Sequence, residues 1–206
     1  MKNAQRALAL AMAAALAVAG GSALAQEPKR GGTANVVIQP EPPGLIVGLW
    51  QNAPTQMVAG NIFEGLLKYD HELNPLPNLA TEWEVNDDGT VYTFHLKDNV
   101  LWHDGEKMTA EDVVFSVTEM LMETHPRLRV SMEHVETVEA LDDYTVRFTL
   151  KQPFGPFLGI FEVGSMPILP KHIYEGTDYH NNPANDLPIG TGPFKFVGWE
   201  RGSYIH

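Results

Sequence analysis

The sequence predicts an α/β chain with an α+β layer at its centre, on three observations. Residues 89–116, GTVYTFHLKDNVLWHDGEKMTAEDVVFS, pass through strand, turn and helix signals in immediate succession. Two runs, Val91 to Leu96 and Tyr144 to Leu150, alternate with period two. Between them Val113, Val114, Val117, Met120 and Leu121 recur at helical spacing.

Along the chain, Thr33 to Gln39 reads as a buried strand and Pro40 to Pro54 as a loop rich in Pro and Gly. Thr55 to Phe63 reads as a short helix. Strands follow at Leu66 to Tyr69, Glu82 to Asn86, Val91 to Leu96, Val135 to Ala140 and Tyr144 to Leu150. In the third of these, Tyr92, Phe94 and Leu96 share one face, and Val91, Thr93 and His95 share the other, so one face is buried and one is wet. Asp88-Gly89 and Asp142-Asp143 supply turns between strands. Thr109 stands three residues before Asp112, ahead of an apolar run, so its hydroxyl can cap the free amides of a helix over 110–123. Glu111 and Asp112 suit the positive end of that helix. A strand-like stretch, Phe194 to Val197, closes the reading.

Five blocks, residues 61–70 (NIFEGLLKYD), 77–85 (PNLATEWEV), 89–116, 141–150 (LDDYTVRFTL) and 189–195 (IGTGPFK), follow one another in a fixed order. In that order they resemble the family 5 extracellular solute-binding proteins, the peptide and nickel receptors of bacterial ABC importers, over about residues 31 to 201. The resemblance implies a type II periplasmic-binding-protein-like fold: two α/β lobes with an α+β inserted domain. Residues 26–63 are then the first segment of the ligand-facing lobe, 64–187 the inserted domain, and 188–206 the return to that lobe. Family members generally run to several hundred residues, so the chain is expected to be the N-terminal part of a longer receptor, with the opposing lobe missing.

The first residues carry an address. Lys2 and Arg6 precede a 13-residue apolar stretch, Ala7 to Ala19, and Ala23-Leu-Ala25 has the small residues of a cleavage site. Thirteen helical residues fall well short of a bilayer core of about 30 Å. A leader cleaved after Ala25 is expected, with a mature chain beginning at Gln26. No cysteine follows the apolar stretch to take a lipid anchor, so a free periplasmic protein is expected. Zero cysteines also exclude disulfides and thiolate metal sites. The formal charge of -12 argues against nucleic acid or anionic lipid as partners, because both select clustered Lys and Arg.

His95 and His103 bracket a turn, but neither has a second ligand at helical spacing, and His103-Asp104-Gly105 is explained as a turn in which Asp bonds the backbone. No metal site is expected. Asp87-Asp88, Asp142-Asp143 and Glu111-Asp112 sit at turns or a helix start, which is not the arrangement of a general acid and base. Ser116, Ser131 and Ser165 lack the context of a nucleophile elbow. Gly190-Thr-Gly192 has no Lys-Ser/Thr after it and reads as a tight loop entering a strand, not a phosphate cradle. Trp83, Trp102 and Phe115 read as core.

The best binding candidate is the loop Gly44 to Pro54. In peptide-binding members of the family the stretch before the FEGL block runs beside the peptide like an added strand. Mapped onto this chain, that stretch is Gln51, Asn52 and Ala53. The loop departs from the family nearby, with Leu45-Ile46-Val47 where Leu-Asp-Pro is usual. The resemblance thus implies a monomeric receptor with no catalysis and no cofactor. It captures a solute, a short peptide foremost, by lobe closure and delivers it to an inner-membrane ABC permease. A nickel chelate, haem, an opine or a sugar is the alternative ligand, and a secreted hydrolase the alternative class.

Overall fold

The computed structural model describes residues 31–206, so the expected leader and its cleavage site lie outside the described residues. Residues 38–206 form one compact unit. Residues 31–37 belong to a separate unit and hold no strand, with Val36 and Val37 72% and 91% exposed. The expected strand Thr33 to Gln39 is therefore not formed. A strand needs a neighbour for its amides and carbonyls, and none runs beside it among the described residues.

The first helix, α1, spans Ala53–Ala59 rather than 55–63. Asn52 caps it by accepting the Thr55 amide at 2.9 Å, and Pro54 occupies the first turn, where its missing N–H costs nothing. Two short strands follow, β1 (Leu67–Tyr69) and β2 (Pro75–Pro77), paired antiparallel. The sequence reading missed β2. Prolines at both of its ends hide the usual signal, and they are tolerated because β2 pairs within a two-stranded sheet.

The central layer is an antiparallel sheet built from β3 (Ala80–Val85), β4 (Val91–Leu96), β5 (Val135–Asp142) and β6 (Thr145–Leu150), in the order β3-β4-β6-β5. Residues in β4 and β6 alternate half-buried and buried along their full length. Their buried faces, with Tyr92, Phe94 and Phe148, meet Phe157 and Phe161. The ring centroids of Phe94 and Phe161 lie 4.5 Å apart, and those of Phe157 and Phe161 5.1 Å apart, edge to face. Asp142 shapes the β5–β6 turn by accepting the Tyr144 amide at 2.8 Å.

The helical run 110–124 is α2 (Ala110–Phe115), a π-helical turn (Ser116–Met120) and α3 (Leu121–Thr124). Asp112 Oδ2 reaches back to accept the Thr109 amide at 2.8 Å, the second half of a capping box. Its Oδ1 accepts the Lys171 amide at 2.9 Å, so a buried carboxylate ties the helix start to α5 (Lys171–Tyr174). Burial dominates its electrostatics and pushes the Asp112 pKa up, although both hydrogen bonds pull it down. The π turn begins at Ser116, whose hydroxyl donates to Asp112 O at 2.6 Å and accepts the Leu169 amide at 2.8 Å. That diverts the helical ladder locally and gives Ser116 a structural role.

A further helix, α4 (Pro126–Met132), was not foreseen, although His125-Pro126 is a start signal. Trp102 and Phe115 are buried as expected, whereas Trp83 is half-buried against the edge of the core. The expected strand Phe194 to Val197 is not formed, and Phe194 and Val197 are exposed. A hairpin of β7 (Trp199–Glu200) and β8 (Tyr204–Ile205) follows instead.

Candidate ligand strip

The loop Pro40 to Pro54 is not an irregular surface connection. Leu45, Ile46, Val47 and Leu49 are in the core, each at most 8% exposed. The apolar triplet that departs from the family pattern is thus an anchor, and its burial replaces regular structure as the force that holds the loop. Thr55 adds a buried bond by donating its hydroxyl to Gly44 O at 2.8 Å.

Beyond the anchor the chain emerges at Trp50 and presents Gln51, Asn52 and Ala53 as a half-buried to exposed strip. Both polar ends of Gln51 are held. Its side-chain Nε2 donates to Gly48 O at 2.8 Å and to Thr124 O at 3.4 Å, while its main-chain carbonyl accepts from Arg127 Nη2 at 3.2 Å. Asn52 O accepts from the Gln56 amide at 3.0 Å. The main-chain N–H groups of Gln51, Asn52 and Ala53 make no hydrogen bond among the described residues. Three successive donors on a braced strip can be offered to an extended ligand.

The brace behind the strip is the turn 124–127, which sequence reasoning did not single out. His125 is 1% exposed. Its Nδ1 accepts the Leu128 amide at 3.1 Å, and its Nε2 lies 3.4 Å from Gly164 O, which requires the neutral Nε2–H tautomer. Burial is the main cause that holds the His125 pKa below its usual value, aided by Arg127 and opposed by Glu162 and the backbone bonds. No local sequence pattern could have revealed the partnership of Gln51 with Thr124 and Arg127, because they are 73 and 76 residues apart.

The block at residues 189–195 serves close packing. A Cβ on Gly190 would fall 1.9 Å from Ile62 O, so only glycine lets that backbone pass. The Gly192 amide donates to Ile62 O at 2.8 Å, and His103 Nε2 lies 2.8 Å from Gly192 O. Gly190-Thr-Gly192 is thereby pinned between residues 61–62 and His103. His95 and His103 do not join a ligand set: among the described residues no group of three His, Cys, Asp or Glu side chains converges as a metal site.

Two concavities lie on the compact unit. One, of about 650 Å³, is mostly apolar and is bordered by Phe63, Gly65, Leu67 and Val163 with Glu64 and Glu162 at its edge. The other, of about 320 Å³, is polar and begins at Gly44 and Trp50. Gln51, Asn52 and Ala53 line neither. No helix among the described residues is long and apolar enough to cross a membrane.

Residues 74–206 match the family described as bacterial extracellular solute-binding proteins, family 5 Middle. The oligopeptide-binding protein AppA of Bacillus subtilis is 37% identical over 149 residues, which cover 70% of this chain and 27% of AppA. The structure of AppA in complex with a nonapeptide superposes with a TM-score of 0.71 at 32% identity, covering 80% of this chain and 34% of that one. NikZ from Campylobacter jejuni, in complex with Ni(L-His), gives a TM-score of 0.63 at 38% identity, over 72% of this chain and 30% of that one. The chain thus spans about a third or less of the length of these relatives.

Proposed function

We propose, for a chain that belongs to family 5 of the bacterial extracellular solute-binding proteins, that the whole protein is the receptor of an ABC importer and captures short peptides. Residues 26–63 and 188–206 contribute to its ligand-facing lobe, and 64–187 form the inserted α+β domain. The ligand is held by closure of a second lobe, because contacts from both lobes exist together only in the closed state. The receptor works in the periplasm as a monomer after removal of residues 1–25, hands its solute to a membrane permease, and carries out no reaction.

The observation that carries this reading is the row of unbonded main-chain amides at Gln51, Asn52 and Ala53, on a strip braced from Arg127 and Thr124. Main-chain donors recognise a peptide backbone and leave its side chains free to vary. The complex of AppA with a nonapeptide supports a peptide as the ligand. The complex of NikZ with Ni(L-His) favours a second reading, a metal chelate in the same place.

The test is twofold. Mass spectrometry of the solute released from purified full-length protein identifies peptide or chelate. Calorimetric titration with that copurified solute then compares wild type, Ala53→Ser and Ala53→Pro. Asn52 already has the extended backbone that a following proline demands (φ -107, ψ 157), and Ala53 is the first helical residue, so Ala53→Pro removes an amide without breaking α1. A lost hydrogen bond that strands a ligand acceptor costs about 1 to 3 kcal/mol, so Ala53→Pro should bind roughly ten-fold to a hundred-fold more weakly while Ala53→Ser is unchanged. Equal affinities in all three would remove the strip from the binding site.

A further inference from the structure

A polar cavity of about 320 Å³ lies beside Trp50. Its walls are locked before any ligand arrives. On one side Asn182 Oδ1 accepts the Ala184 amide at 2.8 Å and its Nδ2 donates to Thr177 Oγ1 at 2.9 Å, while Asn185 Nδ2 donates to Tyr179 O at 2.8 Å and its Oδ1 accepts from the Tyr174 hydroxyl at 3.1 Å. On the other side the Arg201 guanidinium lies 3.4 Å from the centre of the Trp199 ring and donates to Pro42 O and Pro43 O at 3.3 and 3.4 Å. Trp199 Nε1 in turn donates to Glu41 Oε1 at 2.8 Å. Trp50 is held against Gly44.

With these groups engaged with one another, the cavity is left with two unpaired charges of opposite sign. Asp186 borders it, and its carboxylate makes no hydrogen bond or ion pair among the described residues. Arg201 borders it too, donating to carbonyls and lying over the Trp199 ring; its charge acts on the nearby Glu41 carboxylate, with which it forms no ion pair among the described residues. The two do not pair with each other, and both line the same small space. Trp50 and Trp199 line the same space and offer apolar surface with little conformational freedom to lose. Such a space holds about ten waters, enough for one amino acid.

We propose that this cavity binds a single free amino acid as its zwitterion, with the ammonium on Asp186, the carboxylate on Arg201 and the side chain against Trp50. Paired complementary charges fix both ends of the ligand, and charge-assisted bonds are the stronger class of hydrogen bond. The site is distinct from the strip at Gln51 to Ala53 and does not depend on the transport reading.

The experiment is a titration of the nitrogen-labelled full-length protein followed by two-dimensional NMR, with the indole N–H of Trp50 as reporter. The probes are L-alanine and two analogues that each keep one charge, L-alaninamide and propionate. L-alanine should shift the Trp50 signal saturably, and each analogue should bind at least about ten-fold more weakly. Asp186→Asn should weaken L-alanine by about ten-fold, with an unchanged melting temperature because Asp186 is exposed and unpaired. Arg201→Lys keeps the charge and loses the forked geometry, so it should fall between wild type and Arg201→Gln. The proposal is overturned by the absence of any saturable shift up to about 50 mM L-alanine. It is also overturned by equal binding of L-alanine and L-alaninamide, or by undiminished binding in Asp186→Asn. Trp50 also stands next to the strip, so the Asp186→Asn and Arg201→Gln variants, which leave Gln51 to Ala53 intact, separate binding in this cavity from capture along the strip.

Discussion

The ring of Trp50 packs against Gly44 so closely that a Cβ at position 44 would lie 2.3 Å from Trp50 Cζ3. Glycine here is a condition for the placement of Trp50, which stands immediately before the strip and borders the polar cavity. Gly44→Ala should therefore expel the ring. Overpacking of this kind costs about 1 to 3 kcal/mol, so a fall in melting temperature together with a shifted Trp50 indole resonance is expected. An unmoved resonance would show that the ring has room to adapt.

His125 makes stability depend on pH. In the fold it is neutral, because Nδ1 accepts the Leu128 amide and burial opposes a charge. Its folded pKa is lowered from 6.5, so the unfolded chain takes up its proton first as pH falls. The stabilisation is fully present above 6.5 and is lost as pH falls from there through the folded value. Urea midpoints measured between about pH 7.5 and about pH 5 should decline for wild type and decline less for His125→Asn, which keeps an acceptor at the helix cap but cannot titrate. Equal slopes would assign the decline to other groups.

Trp102 is 2% exposed, and its indole N–H has no hydrogen-bond partner although it lies beside Asp112. Trp102→Ala should cost about 3 to 5 kcal/mol by chemical denaturation. Trp102→Phe should cost less than half as much, since it retains most of the packing and removes a donor that was already unsatisfied. Ligand affinity of the folded variants should be unchanged. An affinity loss with wild-type stability would move Trp102 from the core to a pocket.

Export makes a separate prediction from the positive start, the apolar stretch and Ala23-Leu-Ala25. N-terminal sequencing of the periplasmic protein should begin at Gln26, and recovery of intact Met1 protein from the membrane would refute cleavage.

What the sequence by itself determined is what local pattern records. The β4 boundaries, Val91 to Leu96, coincide with the alternating run, and β6 starts one residue later than its run, because in a half-buried strand each residue's burial alternates with its neighbour's. The helix after Thr109 was legible for the same reason, and the ordered blocks named the family. Tertiary structure decided the rest. Leu45, Ile46 and Val47 have no period to betray an anchor, and they are buried only because distant segments close over them. Thr33 to Gln39 has the composition of a strand without a partner, and composition cannot supply the partner's hydrogen bonds. Gln51 was chosen from resemblance, but the donors and acceptors that hold it come from Thr124 and Arg127. That Asp186 and Arg201 border one cavity is likewise a product of chain folding, since no periodicity links two side chains on separate loops.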